Sequence, residues 1–438
     1  MTKGVIETIG SNLQTSDKTK IIDASDYYVL PGGIDPHVHM QLPVGHSVSA
    51  DNFITGTRAA IAGGTTTIID FVTPERNESL LKSLSKRKKL AEHSWCDYGL
   101  HMSVTSWTPQ IEREISHCLK EGIPSFKIYM AYKDSIGLDD FDILSAMNCI
   151  AKSKGLVLCH CEHGESIEYL QTKFISDAKT DVQYHPLSRP PAVEEEAVCR
   201  AILFSNLTTC PLYIVHVSTK EALLHIAAAK RKKNHIFAET CPHYLLLDQG
   251  NYFLSGNRGM AYVMSPPLRS RDHLAALWNS FENKIIDTIA TDHCPFNRNV
   301  QQNGGAVDFT KIPNGVAGVE HRLALLYTFG VLKKRITINK LVDLCCTRPA
   351  QIFGLYPRKG AILEKADADL VLWDPNAQTF ISAKTHQHHC DTSIFEGFKI
   401  TGKPDMVILN GEIIFQEDSF IGSTGRGQFL YREPNNFQ

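Results

Sequence analysis

The sequence predicts an α/β protein, a (β/α)8 TIM-like barrel carrying a small β-sandwich domain formed by its N- and C-terminal segments. Three observations carry that prediction. Eight apolar, strand-like stretches alternate with helix-like ones between residues 27 and 355. Those stretches are apolar throughout, as strands covered on both faces of a parallel sheet must be. After Pro349 the pattern changes to short β runs with almost no helical period, punctuated by Asn410-Gly411. Eight repeats favour closure into a barrel over an open sheet. The expected division is 1–26 for the N-terminal part of the sandwich, 27–355 for the barrel and 356–438 for the C-terminal part and tail.

Residues 1–25 are polar and strand-like (ETIGSNL, KTKIIDAS). Tyr27, Tyr28, Val29 and Leu30 lead into PGGIDPHVHM, which carries the first strand. Side chains alternate along an extended backbone, so His37 and His39 point the same way. They form either half of a metal site or a pair of hydrogen-bonded surface histidines. The second strand is 65–72 (TTTIIDFV), followed by a charged helix over 77–94. The third strand covers 98–104 and precedes an amphipathic helix over 110–121. The fourth, 125–131 (SFKIYMA), precedes a helix over 139–154. The fifth is 156–161 (LVLCHC), with helices starting at Glu165 and Ala192. The sixth, 211–218 (PLYIVHVS), leads to the alanine-rich helix 220–232. The seventh and eighth are 235–242 (HIFAETCP) and 285–294 (IIDTIATDHC).

Apolar residues make up 43% and charged ones 21%, a balance that supports a large core. A formal net charge of −2 gives no reason to expect nucleic acid or an acidic membrane as partner. The basic runs 86–89 and 230–233 end helix-like segments, where they complement the helix dipole and face water. Twelve cysteines without a signal peptide ahead of them fit free thiols in a reducing cytoplasm. No apolar stretch approaches the ~18 residues that span a bilayer. His386, His388, His389 and Cys390 in the tail are expected to face solvent, because nearby residues offer no second pair of ligands.

The chemistry converges on one rim. In such a barrel the C-terminal strand ends share a face and catalytic groups gather there. The first strand places His37 and His39 on it, the fifth His160, the sixth His216 and the eighth Asp292. Lys127, inside the fourth strand, is costly to bury unless it is neutral or paired. Either a neighbouring carboxylate pairs with it, or it reacts with carbon dioxide to form a carbamate that bridges two metals. Ser265 and Asn314 stand beside proline and glycine, where ordinary turn chemistry also accounts for them.

PGGIDPHVHMQLP, SFKIYMAYKD, HCEHG, IVHVS, VMSPPLR, TDHCPFN and DFTKIPNGV together resemble the cyclic amidohydrolases, most closely the dihydropyrimidinase or D-hydantoinase branch. The similarity continues through YPRKGAI, DADLVLWDP and ISAKTH. The resemblance implies hydrolytic ring opening of cyclic amides to N-carbamoyl amino acids, as in pyrimidine catabolism. It implies two zinc ions per subunit, one held by His37, His39 and Asp292, the other by His160 and His216, bridged by N6-carboxylysine at Lys127. Asp292 would shuttle the proton, Tyr132 would donate to the oxyanion, and Ser265 and Asn314 would hold the ring's amide edges. A homotetramer is also implied.

Related enzymes open different rings. Dihydroorotases usually carry an arginine two residues after the second histidine, where this chain has Gln41. Allantoinases usually carry an acidic residue and glycine in this loop, and MQLPVGHS does not follow that form. Dihydrouracil, dihydrothymine and 5-substituted hydantoins are therefore the expected substrates, with Tyr129 and the 41–47 loop shaping the pocket. Non-catalytic scaffold relatives lose the metal ligands, whereas all six positions are kept here. Family members usually begin with two or three further strands before GVIETIG, so the sandwich is expected to be short on its N-terminal side.

Overall fold

A computed structural model of the chain describes residues 1–14, 19–45, 47–232 and 235–434. Lys233 of the second basic run and His46 of the loop after His39 lie outside the described residues. The first strand, β1 (Tyr28–Pro31), does not enter the barrel: it pairs antiparallel with Leu370 to Trp373. Gly32 turns the chain, and β2 (Gly33–Val38) begins the barrel. A Cβ at Gly32 would lie 2.0 Å from Thr66 Oγ1, so only glycine fits this junction.

The barrel strands follow in chain order: β3 (Thr65–Val72), β4 (Asp97–Ser103), β5 (Ser125–Tyr129), β6 (Leu156–His160), β7 (Leu212–Ile214), β8 (Ile236–Thr240) and β9 (Thr288–Ile289). With β2 they make eight parallel strands hydrogen-bonded in sequence order. A bridge between Val38 and His293 brings the two edges together. The expected closure thus holds, and helices in the β-helix-β connections cover the outside.

Two strands are shorter than their sequences suggest, for one reason. The apolar run 211–218 stops at Ile214 because His216 takes a left-handed backbone, φ 41°. The run 285–294 is extended only at Thr288–Ile289, ahead of Asp292 at φ 50°. A ladder cannot continue through such residues. The sequence reading marked no helix between the first two barrel strands, yet α1 (Phe53–Ala62) lies there. Its glycine and threonines are poor helix formers, but the Asn52 and Thr55 side chains complete a reciprocal cap.

Outside the barrel, Pro43–Val44 and Ser47–Val48 pair as a two-stranded hairpin, while β10 (Leu370–Phe380), β11 (Lys399–Leu409), β12 (Glu412–Gln416) and β13 (Ser419–Phe420) join β1 in one five-stranded antiparallel sheet. Residues 1–14 and 19–25 contribute isolated bridges such as Val5 to Asp367 instead of a long strand. Ile22, Ala24 and Tyr27 pack on Leu372, Met406 and Ile408, so the N-terminal segment covers a sheet face with side chains.

Some surface expectations are corrected. Arg87 of the first basic run is buried, its Nη2 2.5 Å from Asp70 Oδ1. Of the tail residues expected in solvent, His388 and Cys390 are buried and His386 is half-buried; His389 alone is exposed. His321, distant in sequence, supplies the neighbour that a local reading could not see. All twelve cysteines are free thiols.

Arg322 holds the barrel seam from within. Fully buried, its Nη1 donates to the carbonyls of Ile34 at 2.8 Å and Ile289 at 3.0 Å, joining the first and last barrel strands. Nη2 donates to Thr65 Oγ1, and Asp35 lies 3.9 Å away. Arg322→Met should leave these acceptors unpaired and lower stability by about 3–5 kcal/mol, measured as a fall in the urea midpoint.

Candidate functional site

Strand ends β2, β5, β6, β7 and β9 open on one cavity of about 250 Å³. Its wall contains every site residue singled out from sequence: His37, His39, Lys127, Tyr132, His160, His216, Ser265, Asp292 and Asn314. Leu42, Pro43, Val44 and Gly45 from the loop after His39 and Tyr129 from β5 also line it. Gln41 is itself exposed, so the residues after it form the wall.

His37 and His39 flank one oxygen. Their Nε2 atoms lie 3.1 and 3.0 Å from Asp292 Oδ1. His37 Nε2 is buried and lacks hydrogen-bond geometry, so these atoms converge on a point instead of pairing along a bond. His37 Nδ1 is 2.6 Å from Glu239 Oε1, which leaves Nε2 facing the cavity. Phe71 packs against both rings at 4.8 and 4.7 Å and fixes their tilt. Burial and Lys127 favour neutral His37, but Glu239 and Asp292 outweigh them and raise its pKa. Burial brings His39 down to about 4 despite Asp292. Burial would raise the Asp292 carboxyl, yet the His37 and His39 rings hold it well below the carboxylate range.

The opposite wall is built from β6 and the turn after β7. His160 Nε2 is 2.8 Å from Glu162 Oε2, leaving Nδ1 as its open nitrogen. Arg189 Nη1 lies 2.5 Å from the same carboxylate. Burial opposes the charge on Glu162, but Arg189 and then His160 lower its pKa to about 2. The rings of His160 and His216 meet at 4.6 Å, and burial keeps both neutral.

Lys127 projects between the two walls. It is 1% exposed, and its ammonium faces the rings of Phe71 at 5.1 Å and Tyr129 at 5.3 Å. Among the described residues no carboxylate lies within salt-bridge distance, so the paired-lysine alternative is not realised. Burial lowers its pKa to about 8. Across the mouth, Asn314 Nδ2 donates to Ser265 Oγ at 2.8 Å. Tyr132 stands near them, its hydroxyl kept protonated by burial.

The donors suit divalent cations: neutral imidazoles, one ionised carboxylate, an orphaned buried nitrogen, and outer nitrogens already occupied by Glu239 and Glu162. Those two glutamates, with Arg189 and Asp35, were not anticipated. Asp35 accepts from His37 N, Thr291 N and Thr291 Oγ1, locking β2 to the turn that presents Asp292. Signals existed for the glutamates: Glu162 lies two residues after His160 in HCEHG, and Glu239 is the one carboxylate in an otherwise apolar strand.

The amidohydrolase family model matches residues 28–414. D-hydantoinase of Geobacillus stearothermophilus is 43% identical, the match covering 98% of this chain and 91% of that protein. Dihydropyrimidinase of Rattus norvegicus is 39% identical over 98% of this chain and 84% of its own length. The crystal structure of dihydropyrimidinase from Brevibacillus agri NCHU1002 superposes with a TM-score of 0.97 at 39% identity, covering 98% of this chain and 94% of that one. A match over most of the chain, the barrel and this donor set agree, and the protein belongs to the amidohydrolase family.

Proposed function

We propose that this protein is a dihydropyrimidinase, or hydantoinase, that hydrolyses 5,6-dihydrouracil, dihydrothymine and 5-substituted hydantoins reversibly to N-carbamoyl amino acids. The observation that carries this reading is the meeting of all nine expected site residues in one cavity. His37, His39 and Asp292 would hold one zinc ion, His160 and His216 a second, and Lys127 as N6-carboxylysine would bridge them. When bound, such ions supply Lewis acidity that acidifies water and polarises the scissile carbonyl.

The chain's own groups account for the rest. The neutral Lys127 amine forms an N–C bond to carbon dioxide and releases one proton to solvent, so a neutral group becomes an anion. Asp292, held ionised, takes the proton of the attacking water and passes it to the leaving ring nitrogen. The protonated Tyr132 hydroxyl donates to the carbonyl oxygen as charge builds there. Backbone groups at Ser265 and Asn314 orient the amide edges of the ring. Leu42, Val44 and Tyr129 present an uncharged wall, suited to a ring without a carboxylate.

The same reading includes a cytoplasmic homotetramer. Twelve free thiols favour a reducing compartment. Exposed Phe141, Leu203, Leu207 and Leu224 on neighbouring barrel helices favour contact between copies.

Zinc-loaded protein should open dihydrouracil to its N-carbamoyl product; failure on dihydrouracil and on hydantoins alike would overturn the assignment. Asp292→Asn should keep the circular-dichroism spectrum while lowering kcat by roughly 10²–10⁴-fold. Carbamate formation is tested apart from turnover, on metal-stripped protein in ¹³C-bicarbonate. Because the amine reacts only when neutral, the carbamate NMR signal should grow as pH rises through about 8. Lys127→Ala should abolish that signal and lower the zinc content.

A further inference from the structure

A second group of ligating side chains lies outside the catalytic cavity. His321 immediately precedes the short helix Arg322–Leu326, while His386 and His388 come from the turn-rich segment between β10 and β11. One nitrogen from each lies within 4.8 Å of the others. Beside them a cavity of about 320 Å³ separates the barrel from the antiparallel sheet, lined in part by Glu320, His321, His386, Ile400 and Phe415. It shares no lining residue with the catalytic cavity.

The hydrogen bonds set which nitrogens are open. His386 Nε2 is 2.8 Å from the Cys390 carbonyl, which can only accept, so this nitrogen carries the hydrogen and Nδ1 is a bare lone pair. His388 Nε2 accepts from the Glu320 amide at 3.3 Å, and its Nδ1 faces His386 Nδ1 at 3.2 Å. One proton lies between those two Nδ1 atoms. His321, 8% exposed, has its Nε2 buried without a hydrogen-bond partner among the described residues. A buried nitrogen left unpaired keeps its desolvation penalty uncompensated. Core packing explains His388, whose ring lies 5.1 Å from that of His293. It does not explain three imidazoles that each bring a nitrogen within 4.8 Å of the others, one of the rings carrying an unpaired buried nitrogen.

We propose that His321, His386 and His388 form a binding site for one divalent transition-metal ion of the zinc class, separate from the catalytic centre. Two nitrogens on a tetrahedral zinc stand about 3.3 Å apart, a spacing the His386 and His388 Nδ1 atoms already have. His321 closes the triangle by moving inward by no more than about 1.5 Å. The cation replaces the proton between the Nδ1 atoms; that proton moves to His388 Nε2 at the expense of the long contact to the Glu320 amide. Water from the adjoining cavity takes the fourth position. Three imidazoles select zinc, nickel or copper over magnesium or calcium. Such an ion braces the 382–393 segment against the barrel close to His293, whose carbonyl accepts from the His39 amide at 2.8 Å.

The test uses full-length protein stripped of metal and reloaded with zinc chloride. Crystals measured at the zinc edge should show an anomalous peak about 2.0–2.1 Å from the three histidine nitrogens. His321→Asn and His388→Gln should each bind one zinc equivalent fewer than the wild type by elemental analysis, while still hydrolysing dihydrouracil. No peak between the three rings in wild-type crystals overturns the proposal, whether or not the variants fold. Equal zinc content in wild type and both variants overturns it too. Zinc at His37, His39 and Asp292 alone would defeat this inference and leave the proposed function standing.

Discussion

A lysine withdrawn from water, with no carboxylate among the described residues within salt-bridge reach, sets the terms for the barrel mouth. Lys127 is surrounded by aromatic faces and imidazoles, and burial pushes its amine toward the neutral form. The same desolvation keeps His39, His160 and His216 uncharged. The result is a cavity rich in nitrogen lone pairs, with Asp292 in its wall and Glu162 behind His160 held as ionised carboxylates. Neutral imidazole is the form that ligates a metal. A neutral amine is the form that can capture carbon dioxide. One physical term therefore prepares both halves of the proposed centre.

Holding the groups in register costs backbone energy. Tyr132, His216 and Asp292 all adopt left-handed conformations, with φ of 63°, 41° and 50°. Each such residue costs on the order of 1–3 kcal/mol. The barrel supplies the restraint. Asp35 grips Thr291 beside Asp292, Glu239 reaches both the His37 ring and the His216 amide, and Arg322 ties the first strand to the last. Concentrating strain at three positions of the cavity wall, on a rigid frame, is how a site is kept open instead of collapsing into a ladder.

What the sequence disclosed follows from the range of the forces involved. Apolar alternation is local, so strands such as Thr65–Val72 and Ser125–Tyr129 were legible at their first residues. The proposed metal ligands other than Lys127 were legible because each falls at or just beyond the C-terminal end of a strand, and those ends share a rim. The family resemblance supplied the roles of Tyr132, Ser265 and Asn314, which periodicity does not distinguish from turn residues. The positions at which β7 and β9 stop were hidden, since left-handed backbone at a histidine or aspartate has no compositional mark. Arg87 and His388 were misjudged because their burial depends on partners far along the chain, Asp70 across the α/β layer and His321 beside the antiparallel sheet.

The single glycine between β1 and β2 has a mechanical meaning. Gly32 donates to the carbonyl of Asp369, next to the first residue of the antiparallel strand β10, at 2.9 Å, and Gly33 donates to the carbonyl of Gly64, next to the first residue of the barrel strand β3, at 2.9 Å. With one residue of slack, the accessory sheet cannot glide or hinge without dragging the His37 strand along its axis. It works as a guy-rope that sets the height of the two histidines above the barrel floor, and a lengthened linker at this point would leave the fold intact while letting those rings drift.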